Sequence, residues 1–215
     1  YQGQLIWQRH LGDLISTKDD LTFEHSYPTL AGDYILLGTD AGYLMAINKF
    51  NGSLAWQYKT GRAIASTPTV FEDKVFFSCR NGKVYALNLT NGKAIWTFDT
   101  QNLVDAPPII DYESGQLYIG DYSGRTYALS LETGKSNWMY TLFGSIISKA
   151  QFQDDTVYFT TTGGSIFALD KSNGFKKWSY TARDGQGIFG APIVMNSQIC
   201  AGDMSGNLSC VEPYM

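Results

Sequence analysis

Val84-Tyr85-Ala86-Leu87-Asn88-Leu89-Thr90-Asn91-Gly92-Lys93-Ala94-Ile95-Trp96-Thr97-Phe98 is the stretch whose pattern repeats along the chain. Two short runs rich in β-branched and aromatic residues flank Asn91-Gly92, a dipeptide whose glycine tolerates the positive φ of a tight hairpin turn. Upstream, Ser66-Thr67-Pro68-Thr69-Val70 and Lys74-Val75-Phe76-Phe77-Ser78 supply two more strands, and Arg80-Asn81-Gly82 turns the second into the third. Four antiparallel strands within about 40 residues make one blade of a β-propeller. Runs this short, punctuated this regularly, leave no room for a helix of ordinary length.

The same frame holds elsewhere. All five tryptophans, Trp7, Trp56, Trp96, Trp138 and Trp178, follow a glycine four residues earlier, and the last four follow an alanine ten residues earlier. Turn glycines recur at Gly42, Gly82, Gly124, Gly164 and Gly206, and prolines open first strands at Pro28, Pro68, Pro108 and Pro192, with Ala150 standing in for the fifth. A proline at a strand start loses no ladder bond. In the third strands Leu44, Val84, Thr126, Ile166 and Leu208 share one face and Met45, Tyr85, Tyr127, Phe167 and Ser209 the other. That alternation suits a strand buried between neighbouring blades.

Ala86 to Trp96, Ala128 to Trp138 with Thr133-Gly134-Lys135, and Ala168 to Trp178 with Asp170 closely resemble the tryptophan-docking repeat of pyrroloquinoline quinone (PQQ)-like propellers. The resemblance covers nearly the whole chain and implies an all-β, PQQ-like propeller in which the five tryptophans lie flat between blades as structural glue. Each buried ring then contributes on the order of a few kcal/mol.

The expected organisation is one domain over residues 1–215, with blades at about 26–58, 66–98, 105–140, 148–180 and 190–211. Residues 1–10 would supply the missing fourth strand of the last blade, closing a five-bladed ring without exposed edges. The competing reading is part of a seven- or eight-bladed parent.

Composition narrows the partners. A formal net charge of −4, with Lys and Arg scattered, excludes a nucleic-acid footprint, which rests on clustered cations. No apolar run is long enough to span a bilayer. The chain opens at Tyr1 rather than Met, from which removal of a preceding segment is expected; an extracytoplasmic location, periplasmic or secreted, is a separate expectation. Cys200 and Cys210 face each other if their hairpin turns at Gly206. Opposed β-carbons about 4.5–5.5 Å apart exceed the roughly 3.5–4.5 Å of a relaxed disulfide, so three reduced thiols are expected, with Cys210 buried in the alanine column.

Function should sit where the repeat breaks its own pattern, on the face carrying the inter-blade connections. Leu11 to His25 is the longest irregular stretch and Ala182 to Gly190 the next. Their departures, with charged residues near the first strands, nominate Phe23, Glu24, His25, Arg62, Asp105, Lys149, Arg183, Asp184 and Phe189 as partner-binding residues. A ring of Ile64, Val104, Ile146 and Ile188 reads as inner-rim packing. Asp40, Asp121 and Asp203 read as turn caps rather than calcium ligands, because blades hold these turns apart.

No catalytic constellation, cofactor site or metal set emerges. Quinoprotein dehydrogenases of this fold carry PQQ and calcium, and typically adjacent cysteines over the cofactor, and this chain has no such pair. The resemblance points instead to a non-catalytic, protein-binding scaffold, as in the BamB-like outer-membrane assembly lipoproteins. Two alternatives stand beside it, a small-ligand (carbohydrate) binding propeller and a fragment of a quinoprotein-type oxidoreductase.

Overall fold

A computed structural model describes residues 3–11, 26–183, 186–195 and 198–212. Nineteen strands form five antiparallel sheets. The first holds β1 (Thr29–Ala31), β2 (Tyr34–Gly38), β3 (Tyr43–Asn48) and β4 (Leu54–Lys59). The second holds β5 (Thr69–Phe71), β6 (Lys74–Cys79), β7 (Lys83–Asn88) and β8 (Ala94–Asp99). The third runs β9 (Ile109–Asp111), β10 (Gln116–Gly120), β11 (Arg125–Ser130) and β12 (Ser136–Thr141), the fourth β13 (Gln151–Gln153), β14 (Thr156–Thr161), β15 (Ser165–Asp170) and β16 (Lys176–Thr181). The last has three strands, β17 (Ile193–Met195), β18 (Gln198–Gly202) and β19 (Leu208–Val211). This is the expected all-β propeller of PQQ-like blades.

The alanine and tryptophan columns explain each other. Ala46, Ala86, Ala128 and Ala168 stand directly across the ladder from Trp56, Trp96, Trp138 and Trp178. A β-bulge follows each alanine, which re-aims the fourth strand at that point. The indole N–H groups of Trp56, Trp96 and Trp138 then donate to the carbonyls of Leu89, Leu131 and Lys171 in the next sheet, at 2.8, 3.0 and 2.8 Å. A Cβ on Gly134, at φ +68°, would lie 2.5 Å from the Trp96 ring. The glycine of each turn thus serves the tryptophan of the preceding blade, and no other residue both turns the chain and admits the ring.

Trp7 docks in the same way, donating to the Lys49 carbonyl at 2.8 Å, which puts residues 3–11 in the position of a fourth strand preceding the first sheet. The expected closure is not seen among the described residues. Among the described residues β19 pairs only with β18, and residues 3–11 carry no strand. A closed ring would also stack Trp178 on Gly3, yet nothing lies within 4 Å of where a Gly3 Cβ would be. Trp178 is half-buried and its indole makes no hydrogen bond to a described residue. The physical consequence shows in one column. Leu44, Val84, Thr126 and Ile166 are fully buried, whereas Leu208 is 72% exposed.

The cysteine expectation is also corrected. Cys200 and Cys210 are opposed in the predicted register, and they form a disulfide. Their Cα atoms are only 4.0 Å apart. That is the close approach of a non-hydrogen-bonded pair, in which the two side chains stand nearer than elsewhere on the ladder. Cys210 is exposed rather than buried, because no fourth strand covers it. Cys79 is free and buried, as expected.

Candidate functional site

The connections between blades are clamped onto the preceding sheet before they reach the axis. Backbone N–H groups of Ile64, Ile146 and Ile188 donate to the carbonyls of Thr39, Asp121 and Thr161 in the second-to-third-strand turns. These isoleucines and Val104 are all buried, which makes the apolar ring inner-rim packing. Asp121 and Asp203 cap their turns, each accepting two backbone N–H bonds on one oxygen. The hydrogen bonds from Asn207 hold the Asp203 carboxyl below its usual range. In the first blade Thr39, one residue before Asp40, takes the same place and accepts from the Tyr43 N–H.

Where the connections deliver the chain to its first strands, all five blades line one cavity of about 460 Å³. Each contributes the residue just before its proline or alanine: Tyr27, Thr67, Pro107, Lys149 and Ala191. Phe189, Ile147, Ala65 and Asp105 complete most of the wall. The volume lies within the roughly 300–1,000 Å³ of ordinary ligand pockets.

Of the residues nominated from the sequence, the structure brings three to this cavity: Asp105, Lys149 and Phe189. Asp105 is 4% exposed and fully engaged. Arg80 grips it with Nε at 2.9 Å from one oxygen and Nη2 at 2.8 Å from the other, while the Tyr122 hydroxyl donates at 2.7 Å. It is therefore an anchor between the second and third blades. Lys149 is half-buried and has no acidic partner among the described residues. Phe189 is 49% exposed. Arg62 and Arg183 are exposed and do not line the cavity. The Arg62 carbonyl accepts from the Thr60 hydroxyl and the Cys79 thiol, so its backbone closes a connection while its side chain stays outside. Phe23, Glu24, His25 and Asp184 lie outside the described residues.

Tyr27 and Thr67 were missed. Their signal was a constant offset one residue before the recurrent proline, hidden because the five residues there share no chemistry. Arg80 was missed because a turn position gave no hint that its side chain reaches 25 residues ahead to Asp105.

A quinone cofactor with calcium would need converging oxygen ligands and, in the dehydrogenases, adjacent cysteines. Here, among the described residues, the one acid lining the cavity is held by Arg80, and no cysteine lines it. Among the described residues no group of three His, Cys, Asp or Glu side chains is placed to hold a metal. The donor set does not fit such a group.

The sequence profile described as outer membrane protein assembly factor BamB matches residues 1–146 and 80–213. BamB from Moraxella catarrhalis is similar in structure, at 24% identity and a TM-score of 0.74 over 87% of this chain and 57% of that one. The computationally designed Ika8 protein superposes with a TM-score of 0.75 at 14% identity, covering 86% of this chain and 57% of its own. Quinohemoprotein alcohol dehydrogenase from Comamonas testosteroni gives 0.69 at 16% identity, covering 87% of this chain and 42% of that one. The chain thus spans little more than half the length of the first two proteins and less than half of the third. At these identities the structural likeness speaks for the fold. No curated protein sequence matches significantly.

Proposed function

We propose that this chain, which belongs to the family of the outer membrane protein assembly factor BamB, is a non-catalytic scaffold that docks a partner protein on its inter-blade face. The observation that carries the reading is the axial cavity, to which five blades bring five chemically different residues. A carbohydrate-binding propeller with one pocket per blade would repeat its lining residues, and this one does not. A partner's irregular surface suits an irregular rim, with aromatic groups such as Phe189 and Tyr27 available as anchors.

The scaffold works outside the cytoplasm. Support comes from the Cys200–Cys210 disulfide, a bond that persists in oxidising compartments. The family's description adds an outer-membrane context. No described helix is long and apolar enough to cross a membrane.

A photo-crosslinking residue placed at position 189 or 67 in the native host tests the reading. Both positions should give the same discrete protein adduct, identified by mass spectrometry, while position 137 on the exposed outer strand β12 should give none. Adducts from position 137 alone, or none from the face, would refute it.

A further inference from the structure

We infer that Lys149 receives a carboxylate from the partner's docking loop, an acidic side chain set beside a large apolar one. This rests on the protein-binding reading above and names the chemistry of what binds.

The argument begins with charge. Among the described residues, one acidic and one basic side chain line the axial cavity, Asp105 and Lys149. Asp105 is spent, with both oxygens held by Arg80 and one also by Tyr122, so it offers neither a lone acid to a ligand nor a counter-ion to Lys149. Lys149 is half-buried as a residue and makes no hydrogen bond or ion pair with a described residue. Among the described residues the cavity therefore carries one positive charge without a counter-ion, in a protein of formal net charge −4.

The walls then select the neighbour of that charge. Tyr27 is 74% exposed and Phe189 49% exposed, and Ile147, Pro107, Ala65 and Ala191 add apolar surface. Exposed aromatic rings around a single cation favour a group that presents a carboxylate and an apolar body together. An ammonium gains more from an ionic acceptor than from a neutral one, because charge-assisted hydrogen bonds are stronger. The occupant is a loop rather than a free metabolite: the cavity is lined by the described inter-blade connections, and the rings of Tyr27 and Phe189 on its wall stay exposed, available to a partner's surface.

The test uses the whole chain and two capped peptides, Gly-Ser-Glu-Phe-Ser-Gly and its Gln-for-Glu counterpart, in an NMR titration that reads weak affinities. The acidic peptide should bind about tenfold more tightly at low salt, the scale of one charged hydrogen bond. Lys149→Met should abolish the preference, Lys149→Arg should keep it, and Phe189→Ala should weaken both peptides alike. Equal binding of the two peptides, binding of neither, or a preference that survives Lys149→Met would overturn the inference. So would 3-phenylpropionate binding as tightly as the acidic peptide, which would mark a small-molecule site. A crosslinked partner with no charge preference would reject the carboxylate contact and leave the scaffold standing. A preference without any crosslinked partner would do the reverse.

Discussion

Replacing Gly134 by alanine should cost far more than replacing Gly115, although both lie in the third blade and share nearly the same backbone, φ +68° and +66°. Each substitution forces a side chain into the left-handed region, a penalty of about 1–2 kcal/mol. Around Gly115 nothing lies within 4 Å of the new methyl group. At Gly134 that methyl would meet the Trp96 ring at 2.5 Å. The ring cannot retreat freely, because its N–H is bonded to the Leu131 carbonyl and Ala86 faces it across the ladder. Overpacking of this kind adds about 1–3 kcal/mol, giving about 2–5 kcal/mol in total. For a chain of this length each kcal/mol moves Tm by about 2–4 °C. Urea denaturation with an unchanged slope would measure the difference. In a Trp96→Ala background the Gly134→Ala cost should fall to that of Gly115→Ala. Equal costs for the two single variants would refute the tryptophan–glycine wedge as the element that seats one blade on the next.

Arg80→Met leaves the Asp105 carboxylate buried without its main partner and should destabilise by about 2–4 kcal/mol by denaturant midpoint, discounted because Arg80 is partly exposed; a change near zero would show that the pair does not anchor the second blade to the third. Intact mass under denaturing, non-reducing alkylation should show one modified cysteine, Cys79, rising to three after reduction, and three without reductant would contradict the bridge. Burial alone raises the Asp111 carboxyl, but hydrogen bonds from Lys171 and Ser114 outweigh it and hold the group below its usual range. Its contribution is therefore present above an unfolded value of about 3.9 and lost as pH falls through the lower folded one. With Lys171→Met the folded value moves back up, so the acid loss of stability below about pH 5 should shrink or vanish, and superimposable pH profiles would exclude the pair as the cause.

Much of the fold was legible because a repeat constrains each residue several times over. Ala86, Gly92 and Trp96 recur in register, and the structure shows the reason, since the alanine faces the ring and the glycine receives the preceding one. The seam was not legible in the same way. Residues 1–10 match the phase of a missing strand, but phase says nothing about how far the sheets turn about the axis, and Gly3 does not reach Trp178. The disulfide turned on how closely the two opposed strands approach at this pair, with Cα atoms 4.0 Å apart, which register alone does not give. At the candidate site, Lys149 and Phe189 stood out as departures from the repeat, yet Asp105 looked like an open acid. Only the packed structure brings Arg80 and Tyr122 onto it.

The central claim, that the inter-blade face docks a protein, is tested most directly by the affinity of the purified chain for the crosslinked partner. Phe189→Ala should raise Kd by about tenfold or more, as loss of an aromatic anchor does, while Asn137→Ala on the outer strand should leave it unchanged. An unchanged Kd for Phe189→Ala with a loss for Asn137→Ala would place the interface on the rim of the blades and contradict the account.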